Sequence, residues 1–110
     1  MNLFDSLMHL NQEAFQNREE SVWMTAREAG VSEAVVIGYN LESSRSAIRL
    51  AESLPGLYAS VGISPHDILA TPSNYIDVLR SLAEHPNVVA IGECGLEYHY
   101  PAGPKEIQIE

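Results

Sequence analysis

The sequence predicts an α/β protein of parallel β/α units, arranged as the first half of an eight-stranded β/α barrel. Four short apolar runs, Leu3 to Leu10, Ala34 to Gly38, Leu57 to Gly62 and Val88 to Gly92, alternate with stretches of helical periodicity. Connections of that kind suit right-handed parallel crossovers. Four such units form either an open sheet or half of a barrel of about 250 residues. The last residues, Ile107-Gln108-Ile109-Glu110, carry no Gly or Pro stop signal, which favours the half-barrel. No repeat, low-complexity segment or linker divides the 110 residues, so a single partial domain over 1–110 is expected.

The elements follow from local signals. Strand one is the least regular, its alternation broken by Asp5 and His9. From Ala14 to Ala29, the residues Phe15, Val22, Trp23, Ala26 and Ala29 suit one helical face, and Gly30 stops the helix. After the second strand, Asn40 is an N-cap for a helix with Ala47, Ile48, Ala51 and Leu54 inward, ended by Pro55-Gly56. Thr71-Pro72 reads as the cap and first residue of the next helix. Its apolar residues Tyr75, Val78, Leu79, Leu82 and Ala83 recur at helical spacing, and His85-Pro86 ends it. Residues Tyr98 to Pro104 are loop, with a last helix starting near Pro104.

Composition narrows the function classes. The net charge is −9, and the six basic residues, Arg18, Arg27, Arg45, Arg49, Arg80 and Lys105, are scattered. Binding to nucleic acid through Lys and Arg is therefore disfavoured, whereas a divalent cation could meet a phosphodiester in their place. No stretch approaches the roughly 18 apolar residues of a membrane span, and the acidic start MNLFDSLMHL is unlike a signal peptide. Cys94 is the only cysteine, so no internal disulfide forms. The expectation is a cytoplasmic protein with no membrane association and no stable protein partner.

The chemistry gathers at the strand ends. In VVAIGECGLE, Val88 to Glu97, an apolar strand runs into Gly92, the carboxylate of Glu93 and then Gly95. The carboxyl end of a parallel strand is where ligands and metals bind in such folds, so Glu93 is a candidate metal ligand. The alternative is a carboxylate that caps a turn or pairs with a neighbour. Strand one ends near His9, and strand three leads into Ser64-Pro65-His66-Asp67. In a parallel barrel, His9, His66 and Glu93 open onto one mouth, and imidazole with carboxylate suits Zn, Mn or Mg. His9 is either a ligand or a partly buried packing histidine. For His66, contact with a substrate phosphate is preferred over turn-shaping.

Taken together, VVAIGECGLEY, VGISPHD and the AREAGV segment at Ala26 to Val31 resemble the TatD family of metal-dependent deoxyribonucleases. The resemblance runs from about Asp5 to Glu110, and its most specific part is the IGE-x-GL segment. It implies an amidohydrolase-type TIM barrel that hydrolyses phosphodiester bonds with divalent cations and takes DNA as substrate through metal-bound phosphate. By position, Glu93 matches the family's metal-bridging glutamate and His9 the second histidine of its H-x-H pair. Leu7 stands where the first histidine of that pair would be. Ser64 replaces the first histidine of the G-x-H-P-H turn, and Glu97 the aspartate of GLD. The family takes two further metal-binding histidines and a catalytic aspartate from later strands, so no catalytic residue is assigned. The leading expectation is a portion of a TatD-like hydrolase. Alternatives are an inactive truncated product and a metal-dependent hydrolase of a substrate other than nucleic acid.

Other residues have plainer readings. His85 complements the end of a helix dipole, His99 and Tyr100 are exposed loop residues, and Asp5 bonds nearby backbone. Cys94 is expected to be small and buried, and Trp23 to pack in the core.

Overall fold

Ala34, Val35, Val36 and Ile37 form the longest buried stretch of strand, and the molecule is organised around them. The computed structural model describes residues 1–110. Strands β1 (Leu3–Met8), β2 (Val31–Ile37), β3 (Leu57–Val61) and β4 (Val88–Ile91) alternate with helices α1 (Glu19–Glu28), α2 (Leu41–Ser53) and α3 (Tyr75–Ala83). A last short helix, α4, spans Lys105–Ile109, and 3₁₀ turns lie at Glu13–Phe15 and Ile68–Ala70. The sheet order is β1-β2-β3-β4, and every pair is parallel, as predicted. Val35 lies beside Tyr58 and Ile37 beside Ser60. No helix is long and apolar enough to cross a membrane.

Side chains alternate across a strand, so each strand divides between two faces. Ala34 and Val36 of β2 join Leu57, Ala59 and Val61 of β3 in one core with Trp23 of α1 and Ala47, Ile48 and Ala51 of α2. Sequential strand order with crossovers of one hand places the helices on that face. The Trp23 indole N–H donates to the Pro55 carbonyl at 2.9 Å, which satisfies the one polar group of a fully buried side chain. Val35 and Ile37 are buried on the opposite face, apart from that core. β1 and β4 are the sheet's edges, and Phe4, Leu7, Val89 and Ile91 are exposed on them.

Local chemistry accounts for the helix ends, including two that differ from expectation. Asn40 caps α2 as predicted: its side-chain oxygen accepts from the Ser43 amide at 2.7 Å, and the Ser43 hydroxyl accepts from the Asn40 amide at 2.9 Å. The first helix does not begin at Ala14. A 3₁₀ turn is followed by Asn17 at φ 64°, in the left-handed region that Asn tolerates, and α1 starts at Glu19. Thr71-Pro72 does not cap α3 either. The Thr71 hydroxyl donates back to the Asp67 carbonyl at 2.8 Å, which closes the preceding turn, and the helix begins at Tyr75. His85 is structural, through side-chain partners: its Nδ1 accepts from the Asn87 amide at 3.1 Å, leaving the proton on Nε2 to face Glu52 at 2.6 Å.

Candidate functional site at the strand ends

Three strand ends are joined by backbone hydrogen bonds. The Gly38 amide donates to Ser60 at 3.0 Å, the Ser64 amide to Tyr39 at 2.7 Å and the Gly92 amide to Val61 at 2.9 Å. The Glu93 amide then donates to the Gly38 carbonyl at 2.6 Å. Since Gly38 follows β2 and Glu93 follows β4, the chain leaving β4 passes over the end of β3. Gly62 lies under that crossing, and a Cβ there would be 2.5 Å from the Glu93 carbonyl oxygen and 2.7 Å from the Gly92 carbonyl carbon. Only a hydrogen fits. The sequence thus needs glycine at 62 for Glu93 to reach its place.

Buried hydroxyls hold this rim from below. Ser60 donates to the Gly92 carbonyl at 2.6 Å. The Ser44 hydroxyl, projecting from α2, accepts from the Gly62 amide at 3.2 Å and lies 3.4 Å from the Gly62 carbonyl, to which it donates. These bonds replace water for backbone groups at strand ends, where the ladder has run out.

Above them the Glu93 carboxylate is exposed and takes no hydrogen bond or ion pair. His9, at the end of β1, is half-buried, with its ring edge-on to Tyr39 at 6.5 Å between centroids. His9 Nδ1 is buried without a hydrogen-bond partner, and so is Asn11 Oδ1. The Asn11 amide nitrogen is well used, donating to the Ile37 carbonyl at 2.9 Å and the Ser43 carbonyl at 3.0 Å. An unpaired buried polar atom costs about 1–3 kcal/mol, and two at one strand end mark a place where structure yields to another demand.

His66 stands apart. Its Nδ1 lies 3.1 Å from the Pro101 carbonyl and its Nε2 3.6 Å from Glu97, so both ring nitrogens face the C-terminal loop. Asp5 accepts from the Leu7 amide at 3.1 Å, and His99 and Tyr100 are exposed, all as predicted. Cys94 is exposed, against expectation, because the chain has already turned out of the sheet at Gly92 and strand alternation no longer applies. Asn11, Tyr39, Ser44 and Ser60 were not legible as site residues. The His9-x-Asn11 spacing and the Tyr39-Asn40 pair after β2 were the available signals.

The donors present do not complete a metal centre. No three His, Cys, Asp or Glu side chains come together in a way that could hold an ion, so His9, His66 and Glu93 do not converge into a site. Zinc sites use three or four protein donors, and Glu93 with His9 offers two.

Comparison with known proteins gives a consistent result. A family profile described as TatD related DNase matches residues 4–110. The uncharacterized metal-dependent hydrolase YabD of Bacillus subtilis (strain 168) is 35% identical over 108 residues, which is 98% of this chain and 42% of that protein. The 3'-5' ssDNA/RNA exonuclease TatD of Musicola paradisiaca (strain Ech703) is 39% identical over 98 residues, 88% of this chain and 37% of that protein. The crystal structure of a hydrolase TatD family protein from Entamoeba histolytica superposes with a TM-score of 0.81 at 26% identity, covering 99% of this chain and 42% of that one. The chain therefore spans about two fifths of the length of these relatives.

Proposed function

Because the chain belongs to the TatD related DNase family, we propose that residues 1–110 are a single partial TIM-barrel domain, about the first four β/α units, of a metal-dependent hydrolase. The bond cleaved is a phosphodiester and the substrate DNA. Relatives named as ssDNA/RNA exonucleases support that substrate class; with a net charge of −9, a cation and not Lys or Arg would have to meet the phosphate. Glu93 and His9 are the metal donors this chain contributes, with Mg, Mn or Zn as the ion. His66 is the substrate contact, able to reach a phosphate once it releases the C-terminal loop.

The observation that carries the reading is the crossing over Gly62, which puts an unpaired carboxylate at the strand-end rim. A neutral amide at 93 is a poorer donor and cannot balance cation charge. A second reading is favoured by the incomplete donor set: these residues alone do not hydrolyse DNA. One assay addresses both. Single-stranded oligonucleotide is incubated with Mn²⁺ and the chain, alone or mixed with the C-terminal portion of the Bacillus subtilis relative. Shortening of the strand that is lost in Glu93→Gln supports the first reading. Undiminished shortening in that variant removes Glu93 from the site, and no shortening in either mixture favours the second.

A further inference from the structure

The two unpaired buried atoms at the end of β1, His9 Nδ1 and Asn11 Oδ1, complement each other. The Asn11 amide nitrogen has two protons, and the Ile37 and Ser43 carbonyls take both. Those two bonds fix which end of the amide is oxygen, so the unpaired atom is an acceptor and nothing else. The other orphan is an imidazole nitrogen, which donates only when it carries the proton. A donor from His9 is what the Asn11 oxygen needs.

Both side chains lie against the same end of β2. Met8 stands beside Val36 in the sheet, which carries His9 to the level of Ile37, the residue whose carbonyl holds Asn11. The His9 ring packs edge-on to Tyr39, two residues further along. The Gln12 amide donates to the His9 carbonyl at 3.1 Å, so residues 9 and 11 share one tight turn. A single water, or a small rotation of the imidazole, joins the two orphans. Leaving both buried and unpaired costs more than a typical hydrogen bond gains, which drives them together. His9 Nε2 is different, since it makes no hydrogen bond and is not buried.

We propose that Asn11 is a positioning residue for His9. Its side-chain oxygen takes the Nδ1 proton of the neutral imidazole, directly or through one buried water, so that Nε2 keeps its lone pair and faces outward. Which ring nitrogen carries the proton is set by the bond the other makes, and a histidine that ligates a metal donates its second nitrogen in this way. The use made of Nε2 rests on the reading of His9 as a metal donor; the tautomer does not. Asparagine suits both tasks at once. An aspartate at 11 would accept from His9 but would set a carboxylate against the Ile37 and Ser43 carbonyls.

The test uses the ¹⁵N-labelled 110-residue chain, free of metal and at alkaline pH, where long-range ¹H–¹⁵N spectra tell a protonated ring nitrogen from an unprotonated one. The Nδ1–H form of His9 should exceed the Nε2–H form by about fivefold or more, the reverse of free histidine in water. Asn11→Ala should return His9 to the Nε2–H form. If that variant does not fold, the partner is read in the unsubstituted chain, as a nuclear Overhauser contact between the His9 Hδ1 proton and the Asn11 side chain. A His9 ring that is mainly Nε2–H overturns the proposal. So does a tautomer that ignores Asn11→Ala in a folded chain, or an Hδ1 proton with no contact to Asn11. Added Zn²⁺ should then move the His9 Nε2 resonance and leave the Nδ1 proton in place. An Asn11-dependent Nδ1–H form whose Nε2 ignores Zn²⁺ upholds the positioning and overturns the donor reading instead.

Discussion

β2 and β4 are almost equally apolar in sequence, and the structure treats them very differently. The last four residues of β2 are buried, whereas three of the four in β4 are exposed. The same contrast separates β3 from β1. Apolar character decides that a segment becomes a strand, but burial depends on how many neighbours the strand acquires. An inner strand has a partner on each side and a helix above it, and an edge strand lacks one of these.

Mutations at inner and outer positions should reproduce this contrast. Trp23→Ala removes a fully buried ring and its bond to Pro55, and should cost about 3–5 kcal/mol in urea unfolding. Val89→Ser at the edge should stay within about 0.5 kcal/mol. Equal losses at the two positions would erase the distinction between inner and outer strands.

A smaller effect is expected where the two regions meet. Gly62→Ala places a methyl group against backbone that cannot rotate away, which should cost about 1–3 kcal/mol. Hydrogen exchange should show the Glu93 amide losing protection, since its bond to Gly38 is the one displaced. Unchanged protection at Glu93 would mean that the crossing does not depend on residue 62.

The smallest effect concerns the inner strands alone. Tyr58 donates a hydrogen bond to Glu33 at 3.1 Å, and that bond, with the nearby negative charge, raises its pKa above the ordinary value of 10.0. The folded pKa lies above the unfolded one, so the stability from this pair is fully present below the ordinary value. It is lost as pH rises through the folded value. Glu33→Gln should lower the Tyr58 pKa, read from phenolate absorbance. No change would show that Glu33 is not its cause.

Much of the fold was legible because its signals are local. Asn40 and Ser43 are three residues apart, the strands are contiguous runs, and Trp23 falls on a helical stripe. Glu93 stood out because a carboxylate between glycines after an apolar strand is unusual. The failures share a different cause. Asn17 was decided by its left-handed backbone conformation and Thr71 by a side-chain bond back to Asp67, both of which compete with the helix, and Cys94 by the point at which the chain leaves the sheet. Asn11 and Ser60 act through bonds to residues 26 and 32 positions away, which no periodicity reports.

The serines beneath the rim also bear on temperature. Exposing apolar surface raises the heat capacity and exposing polar surface lowers it. The core around Trp23 is apolar, whereas Ser44, Ser60 and Ser64 bury hydroxyls among backbone amides. Cooling weakens hydrophobic burial, so the helical core loses stabilisation in the cold while the hydroxyl bonds at the strand ends keep theirs. The rim that carries Glu93 thus rests in part on hydroxyl bonds that cooling does not weaken as it weakens the core.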